Sequence, residues 1–463
     1  MKDFNDIYSV VKDLPIIDWH NHLDMKLLAE DKPLGSLYEV WVKADPYKHR
    51  AMRICGEPER LITGDATESE KWEAWKRTLP KLIGNPLFAW AKMEIEWLDF
   101  FNAESQSSRE SRWWRNVENI SLSGWTPSKM LKAFNVECIC PCVGVSELDS
   151  LQVSGRAGGS QPAAADSRSF GRAACPQAAA ARWGQRALPL SIIPSLRMNA
   201  GDEITVEDLE RFAAVGCRVV DISVDDASQL STHYAQLSTV ASFAAAHGWT
   251  MLLHLGALRS TSERLRAAAG PAGGFAGMRA PVDPAAVASF LNRLEHGRAG
   301  CPQPAATDSR SFGRAGCPQP AAARWGQRAL PELNTSLPRT ILLSLNPEAH
   351  AQLAVLSGSF VEDGMPGKVQ LGPAWWWCDH EEGIRDVLEK NAAYGVLSTF
   401  VGMTTDSRSL LSFTRHDYFR RILSKWTAEK VASGAFPDDT ELLRPMLENV
   451  CYGNAKVMID DNY

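Results

Sequence analysis

Eight short apolar segments recur along the chain, and they constrain its fold more than any other feature. They lack strict alternation of apolar and polar residues, as expected of parallel strands that are covered on both faces. Helical stretches lie between several of them, for example Val206–Ala214 and Glu381–Tyr394. This alternation predicts an α/β protein with a (β/α)₈ TIM-type barrel. The segments are Leu14–His20, Val136–Cys142, Leu190–Leu196, Cys217–Val224, Thr250–Leu255, Thr340–Leu345, Gly367–Leu371 and Val396–Met403.

The connection between the first two segments is too long for a single crossover helix. Within it, residues 34–117 are rich in tryptophan and contain helix-like sequences such as SEKWEAWKRTLPKL and LFAWAKMEIEWLDFF. We therefore predict a helical subdomain at residues 34–117, inserted after the first strand. Residues 1–33 and 118–463 would then form the barrel.

Two nearly identical segments interrupt the barrel sequence, at Gly155–Pro189 and Gly297–Pro331. Both are rich in Ala, Gly, Pro, Arg and Ser, and apolar side chains occur in them only singly. Such a composition buries too little apolar surface to offset the entropy lost on ordering. We interpret them as two copies of one inserted element that forms disordered surface loops. An interaction module is the alternative.

The first strand ends in DWHNHL, in which His20 and His22 are separated by one residue. Alternate residues of a strand point to the same side, so the two imidazoles converge and can form half of a metal site. Asp406 follows the last strand, which closes the barrel against the first. It can complete a metal site or act as a general base, and Arg408 can pair with an anion. The alternative for Asp406 is a helix N-cap, a role that we assign to Ser407.

Other polar side chains follow the remaining strands, where the active site of such a barrel lies. His254 ends the fifth strand, and Trp375 follows the seventh. Arg197 and Arg259 suit a substrate carboxylate because a guanidinium binds it through two hydrogen bonds; a surface salt bridge is the alternative for each. Three cysteines share one face of the second strand and are expected to pack rather than to bind zinc. They are Cys138, Cys140 and Cys142.

Composition excludes several classes of partner. The net charge of −6 gives no reason to expect nucleic acid or an anionic membrane, and no apolar run reaches the ~20 residues needed to span a bilayer. The first residues, MKDFNDIYSV, lack the apolar stretch of a secretory signal. Ten cysteines without framework spacing favour the reduced cytoplasm. We expect a small-molecule substrate and a homo-oligomer.

Taken together, the motifs resemble those of uronate isomerase, a member of the amidohydrolase superfamily. The resemblance covers most of the chain outside the two inserts. It is strongest in IIDWHNHL, DPYKHRAMR, LHLGALR, RTILLSLNP, GKVQLGPAWWW and FVGMTTDSRSLLSFTRHDYFRRIL. It implies a distorted barrel with a helical subdomain after the first strand. The implied reaction interconverts aldohexuronates and ketohexuronates, such as D-glucuronate with D-fructuronate and D-galacturonate with D-tagaturonate.

The resemblance also implies roles for individual residues. His20, His22 and Asp406 would hold a divalent metal ion, with zinc expected, and Asp406 would also move a proton between C2 and C1 through an enediol. Arg408 and His254 would orient the reacting end of the sugar. Substrate binding would fall to Tyr47, Arg197, Arg259 and Trp375, with Tyr47 on a hydroxyl and Arg197 on the carboxylate.

The sequence departs from the family pattern after the second and fourth strands. The family's Thr-Thr-Asp-Asp-Pro stretch is replaced by PCVGVSELD, and Asp221 is followed by Ile222 instead of His. Two alternatives therefore stay open. One is a metal-dependent hydrolase of the same superfamily that acts on a lactone or an amide, and the other is a catalytically weakened paralogue.

We expect a variant that lacks Gly155–Pro189 and Gly297–Pro331 to unfold as cooperatively as the full chain, because segments of this composition contribute little buried apolar surface. Thermal unfolding followed by circular dichroism tests this. A matched variant that carries scrambled segments of the same composition controls for loop length. Loss of folding in the deletion variant alone would show that the segments take part in the fold.

Overall fold

In a computed structural model of the protein, the described residues are 3–101, 117, 120–148, 190–271, 273–296 and 337–460. The strands are β1 Ile16–Asn21, β2 Val136–Val143, β3 Ser191–Ile192, β4 Ser195–Asn199, β5 Val219–Val224, β6 Thr250–Leu255, β7 Ala257–Leu258, β8 Gly277–Met278, β9 Arg339–Ser344 and β10 Val369–Leu371. The α-helices are α1 Phe4–Val11, α2 Met25–Glu30, α3 Leu37–Trp41, α4 Pro46–Ile54, α5 Glu68–Thr78, α6 Pro86–Phe101, α7 Pro127–Ala133, α8 Val206–Ala214, α9 Gln229–Thr232, α10 Tyr234–Ala246, α11 Glu263–Ala269, α12 Pro284–Glu295, α13 His350–Val355, α14 Glu381–Tyr394, α15 Thr414–Ala432, α16 Thr440–Glu448 and α17 Asn454–Ile459.

The main sheet is parallel and curled, with the strand order β1-β2-β4-β5-β6-β9-β10. Strand β3 also pairs with β2, and β7 and β8 form a separate antiparallel pair. Helices such as α8, α10 and α13 lie between consecutive strands of the sheet. This order confirms the predicted α/β fold of the TIM-barrel type.

Two apolar layers explain why the strand sequences do not alternate between apolar and polar residues. One layer fills the inside of the curled sheet and includes Trp19, Val219, Leu252 and Ile341. The other faces the helices and includes Val220, Met251, Leu253 and Phe212. Because both faces of a strand are buried, successive side chains must both be apolar.

The predicted eighth strand, at Val396–Met403, is absent from the described structure of this segment. A 3₁₀ turn at Leu397–Thr399 stands there instead, followed by an irregular extended stretch. Gly402 interrupts it with φ +74°, and a Cβ at this position would lie 1.9 Å from the carbonyl oxygen of Val450. The positive φ takes Gly402 out of the extended conformation of a strand, and the close approach of Val450 leaves no room for a side chain there. A local apolar pattern reveals neither feature.

Single hydrogen bonds join this segment to both edges of the sheet. On the β10 side, the backbone N–H of Val401 donates to the Gln370 side-chain oxygen over 2.9 Å. On the β1 side, the N–H of Asp406 donates to the carbonyl of His20 over 3.2 Å, and the N–H of His22 donates to that of Ser407 over 2.9 Å. The barrel therefore closes through a few specific contacts.

The buried carboxylate of Asp18 in β1 provides the strongest of these connections. It accepts hydrogen bonds from the Thr404 hydroxyl over 2.9 Å, the Thr405 N–H and hydroxyl over 2.7 Å each, and His416 Nε2 over 3.1 Å. Burial raises the pKa of Asp18, but the bonds from His416 and Thr405 outweigh it and lower the pKa below its usual value. Asp18 thus ties β1 to the closing segment and to α15.

Helices α2 to α7 lie between β1 and β2, and buried tryptophans such as Trp41, Trp75 and Trp90 pack among them. Helix α4 begins after the N-cap Asp45 with Pro46 at its first position, a favourable start because proline lacks the N–H that would be left unpaired.

The domain boundary at residues 34–117 stays a prediction. The two repeated inserts lie outside the described residues. In the part of the chain that is described, no helix is both long and apolar enough to cross a membrane.

We expect Asp18→Asn to lower the free energy of unfolding by on the order of 3 kcal/mol, because it removes a buried charge that several donors stabilise. Urea denaturation of the purified variant measures this. Asp13→Asn is a matched control, because the Asp13 side chain is 86% exposed. Equal stability of the two variants would contradict the role given to Asp18.

Candidate functional site

A cavity of about 430 Å³ opens at the carboxyl ends of the strands. The lining residues come from β2, β4 and α4 and from the segments that follow β1, β7, β10 and residue 403. Among the residues predicted for the site, those in the lining are His22, Tyr47, Arg197, Arg259, Trp375, Asp406 and Arg408. His20 and His254 lie behind this surface, each with 1% of its area exposed.

Asp406 is the point at which the predicted metal ligands meet. Its Oδ1 lies 3.1 Å from Nε2 of His20 and 3.1 Å from Nε2 of His22, while Oδ2 accepts a hydrogen bond from Trp375 Nε1 over 2.9 Å. Its backbone has φ +47°, a left-handed conformation that aspartate tolerates better than most residues. Burial raises the pKa of Asp406, but the contacts with both histidines outweigh it and hold the pKa well below its usual range.

Two imidazole nitrogens and one carboxylate oxygen form a donor set that suits a divalent cation. Ligands about 2.0–2.2 Å from a tetrahedral zinc ion lie roughly 3.4 Å apart, close to the separations observed around Asp406. The described residues also contain two overlapping groups of possible ligands, one of His20, His22 and Cys142 and one of His20, His254 and Asp221. This end of the barrel can therefore hold a divalent metal ion.

Asp221 in β5 is a second buried carboxylate of the site. Its Oδ1 lies 2.6 Å from His254 Nδ1, and its Oδ2 accepts hydrogen bonds from Arg197 and, over 3.4 Å, from the Cys142 thiol. Burial raises the pKa of Asp221, but Arg197, His254 and His20 outweigh it and keep the pKa well below its usual value. Asp221 is therefore a permanent anion beneath the cavity.

This anion orients His254. Burial lowers the pKa of His254 to about 4 in spite of Asp221, so the ring is neutral near pH 7. Its Nδ1–H is directed at Asp221, and its Nε2 is buried with no hydrogen-bond partner among the described residues. The ring centroid lies 4.8 Å from that of His20 and 4.4 Å from that of Trp375. The site thus contains an unpaired nitrogen lone pair.

The three arginines of the cavity differ in their partners. Arg197 binds Asp221, and Arg259 donates to Asp225 over 2.9 Å. Both guanidinium groups also donate to the hydroxyl of Ser223, over 2.6 and 2.9 Å. Arg408 is exposed and forms no ion pair with any residue in the described ranges. Arg197 and Arg259 are therefore each paired with a carboxylate, whereas the charge of Arg408 has no such partner in the described ranges.

Tyr47 belongs to a third buried polar group. Its hydroxyl donates to Asp379 Oδ2 over 2.9 Å, and Arg415 Nη1 lies 3.4 Å from the same oxygen. The Arg415 guanidinium lies 5.1 Å from the centroid of the Tyr47 ring. Burial raises the pKa of Asp379 to about 6, although Arg415 opposes the shift.

Sequence reasoning missed Asp221, Cys142, Asp379 and Arg415. A signal existed for Asp221, because it stands inside the apolar strand VVDISV, and a buried charge must find a partner. The other three gave no such signal, since their partners are distant in the sequence.

Comparisons with known proteins give a consistent result. A family model described as glucuronate isomerase matches residues 2–153 and 328–459. Uronate isomerase of Bacillus licheniformis is 30% identical, over 97% of this chain and 93% of its own. Uronate isomerase of Geobacillus thermodenitrificans is also 30% identical, over 98% of this chain and 95% of its own. The crystal structure of uronate isomerase from Thermotoga maritima has a TM-score of 0.71 at 23% identity, covering 99% of this chain and 97% of its own.

Proposed function

This chain belongs to the glucuronate isomerase family, and from that premise we propose that it interconverts D-glucuronate with D-fructuronate and D-galacturonate with D-tagaturonate. It is an aldose–ketose isomerase by family. The observation that best supports a role for individual residues is the position of Asp406, which lies between His20 and His22 at the wall of a cavity lined by arginines.

In the proposed reaction, the Asp406 carboxylate takes the proton from C2 of the open-chain aldose. The electron pair of the C2–H bond forms the C1–C2 double bond, and the C1 oxygen gains a proton to give an enediol. Asp406 then returns its proton to C1. The C2 hydroxyl gives up its proton to water as the ketone forms, and this proton balances the one that water supplied to the C1 oxygen. A carboxylate can remove such a proton only if the developing oxyanion is stabilised, and Arg408 supplies charge for this purpose.

The other cavity residues bind and orient the sugar in this proposal. Arg197 and Arg259 receive the uronate carboxylate, since both guanidinium groups reach the same side of the cavity through Ser223. Tyr47 contacts a sugar hydroxyl, and Trp375 packs against the sugar while it holds Asp406. The unpaired Nε2 of His254 accepts a hydrogen bond from a hydroxyl at the reacting end.

We propose zinc as the divalent metal, held by His20, His22 and Asp406. When bound, the metal supplies positive charge that stabilises the oxyanion of the reaction. We also propose that the enzyme works in the cytoplasm as a homo-oligomer. The cytoplasmic location is supported by the described cysteines, all of which are free thiols.

Proton NMR of D-glucuronate and D-galacturonate incubated with the protein in D₂O tests the reaction. We expect formation of the ketouronate and deuterium at C2 of the recovered aldose, both suppressed by a chelator. Asp406→Asn should lower kcat at least a hundredfold, because an amide cannot take the proton. Asp363→Asn, which changes an exposed acid, is the control. Turnover of a lactone or an amide, with both uronates unchanged, would favour the hydrolase alternative.

The pKa of the Asp379 carboxyl implies that kcat/KM depends on pH. As the pH falls through about 6, Asp379 gains a proton, and the Tyr47 hydroxyl and Arg415 lose the charge that anchors them. We therefore expect kcat/KM to decline below about pH 6. Asp379→Asn should remove this decline and raise KM about tenfold, the effect of one lost hydrogen bond.

Steady-state profiles between pH 5 and 8 measure this effect. Tyr47→Phe is the matched control, because it removes the hydroxyl and leaves Asp379 in place. If kcat/KM of the Asp379→Asn variant still declined with the same midpoint pH, the titrating group would be a residue other than Asp379.

A further inference from the structure

We propose that Cys142 is a positioning residue that connects His20 to Asp221 through its sulfur and thereby directs His20 Nε2 toward Asp406. The inference rests on the proposed role of His20 as a metal ligand. It concerns a side chain at which this sequence departs from the family pattern, since Cys142 lies in the PCVGVSELD stretch.

The geometry around Cys142 fits a bridge. Its Sγ lies 3.2 Å from His20 Nδ1 and 3.4 Å from Asp221 Oδ2, whereas His20 Nδ1 and Asp221 Oδ2 are 3.8 Å apart. The last distance is too long for a direct hydrogen bond. The Ser195 hydroxyl lies 3.6 Å from the same sulfur. The sulfur thus fills the gap between the imidazole and the carboxylate.

The direction of each hydrogen bond follows from the charge on Asp221. Asp221 is ionised because Arg197 binds it, so it can only accept, and the Cys142 S–H must be the donor. The sulfur lone pairs then remain to accept the Nδ1–H of His20. The Nδ1 proton therefore lies on the side away from the cavity. In this structure the ionised Asp406 carboxylate, 3.1 Å from Nε2, can only accept a hydrogen bond, so Nε2 carries a second proton, which a bound metal ion would displace.

Asp221 consequently fixes both buried histidines of the site. It holds His254 directly through Nδ1 and holds His20 through Cys142. A metal-binding histidine commonly has such a partner on its other ring nitrogen, and removal of that partner typically weakens metal binding 10–100-fold. In this chain the partner of His20 is a thiol, which is supported in turn by a carboxylate.

The test measures zinc affinity by competition with a fluorescent chelator, without sugar. We expect Cys142→Ala and Cys142→Val to bind zinc roughly 10–100-fold more weakly than the wild type, and Cys142→Ser to recover most of the affinity because a hydroxyl can also donate and accept. Cys140→Ala is the matched control. Cys140 is a buried cysteine two residues earlier on β2, and its thiol makes no hydrogen bond to His20. Cys142→Val, whose side chain is somewhat larger than that of cysteine, leaves no cavity and replaces the alanine variant if that variant folds poorly.

A second readout separates positioning from general loss of structure. In ¹⁵N-histidine-labelled protein, the ring signals of His20 are assigned by their loss in the His20→Asn variant. With zinc bound, we expect the His20 ring to carry its proton on Nδ1. This preference should weaken in the Cys142→Ala variant. Unchanged zinc affinity and an unchanged tautomer in both apolar variants would overturn the proposal. Failure of the wild type to bind zinc would overturn it together with the metal site. Zinc binding that behaves as expected, in a protein inactive on hexuronates, would support this proposal and overturn only the proposed reaction.

Discussion

The carboxylate of Asp18 is the contact on which the rest of the site depends. It lies in β1, two residues before His20, and it binds Thr404 and Thr405, which directly precede Asp406. Two segments far apart in the sequence are thereby fixed so that an imidazole and a carboxylate face each other. A buried carboxylate is costly unless donors surround it, and here hydroxyl, amide and imidazole donors offset that cost.

Three buried aspartates show how the surroundings of one residue type determine its role. Asp18 and Asp221 each have several donors, so their pKa values fall below the usual value and they remain anions. Asp379 has one phenol and one more distant guanidinium, and its pKa rises to about 6. Asp18 connects β1 to the closing segment, Asp221 orients two histidines, and Asp379 has a pKa of about 6.

Local pattern located the seven strands of the main sheet, because burial on both faces leaves a direct trace in the sequence. It placed the third strand too early, at Leu190–Leu196, where the structure has the short β3 and only the start of β4. It failed for Val396–Met403, because the approach of Val450 to Gly402 is a long-range contact that an apolar run does not reveal. The positions of His20, His22 and Asp406 at strand ends predicted that they meet, and the structure places the Nε2 atom of each histidine 3.1 Å from Asp406 Oδ1. A salt bridge was an alternative for Arg197, but the sequence could not identify the buried Asp221 as its partner. Nor could it show that Cys142 touches His20, since both contacts depend on side chains of neighbouring strands.

The irregular closure between β10 and β1 has a consequence for how the sequence can change over evolution. A regular ladder of backbone hydrogen bonds accepts almost any side chain that fits, so β5 and β6 can exchange one apolar residue for another. At the closure, two backbone hydrogen bonds to β1 are supplemented by those of individual side chains, namely Asp18, Thr404, Thr405 and Gln370. Mutational tolerance is therefore lowest at this seam, and a single substitution there both opens the sheet and displaces the residue that faces the two histidines.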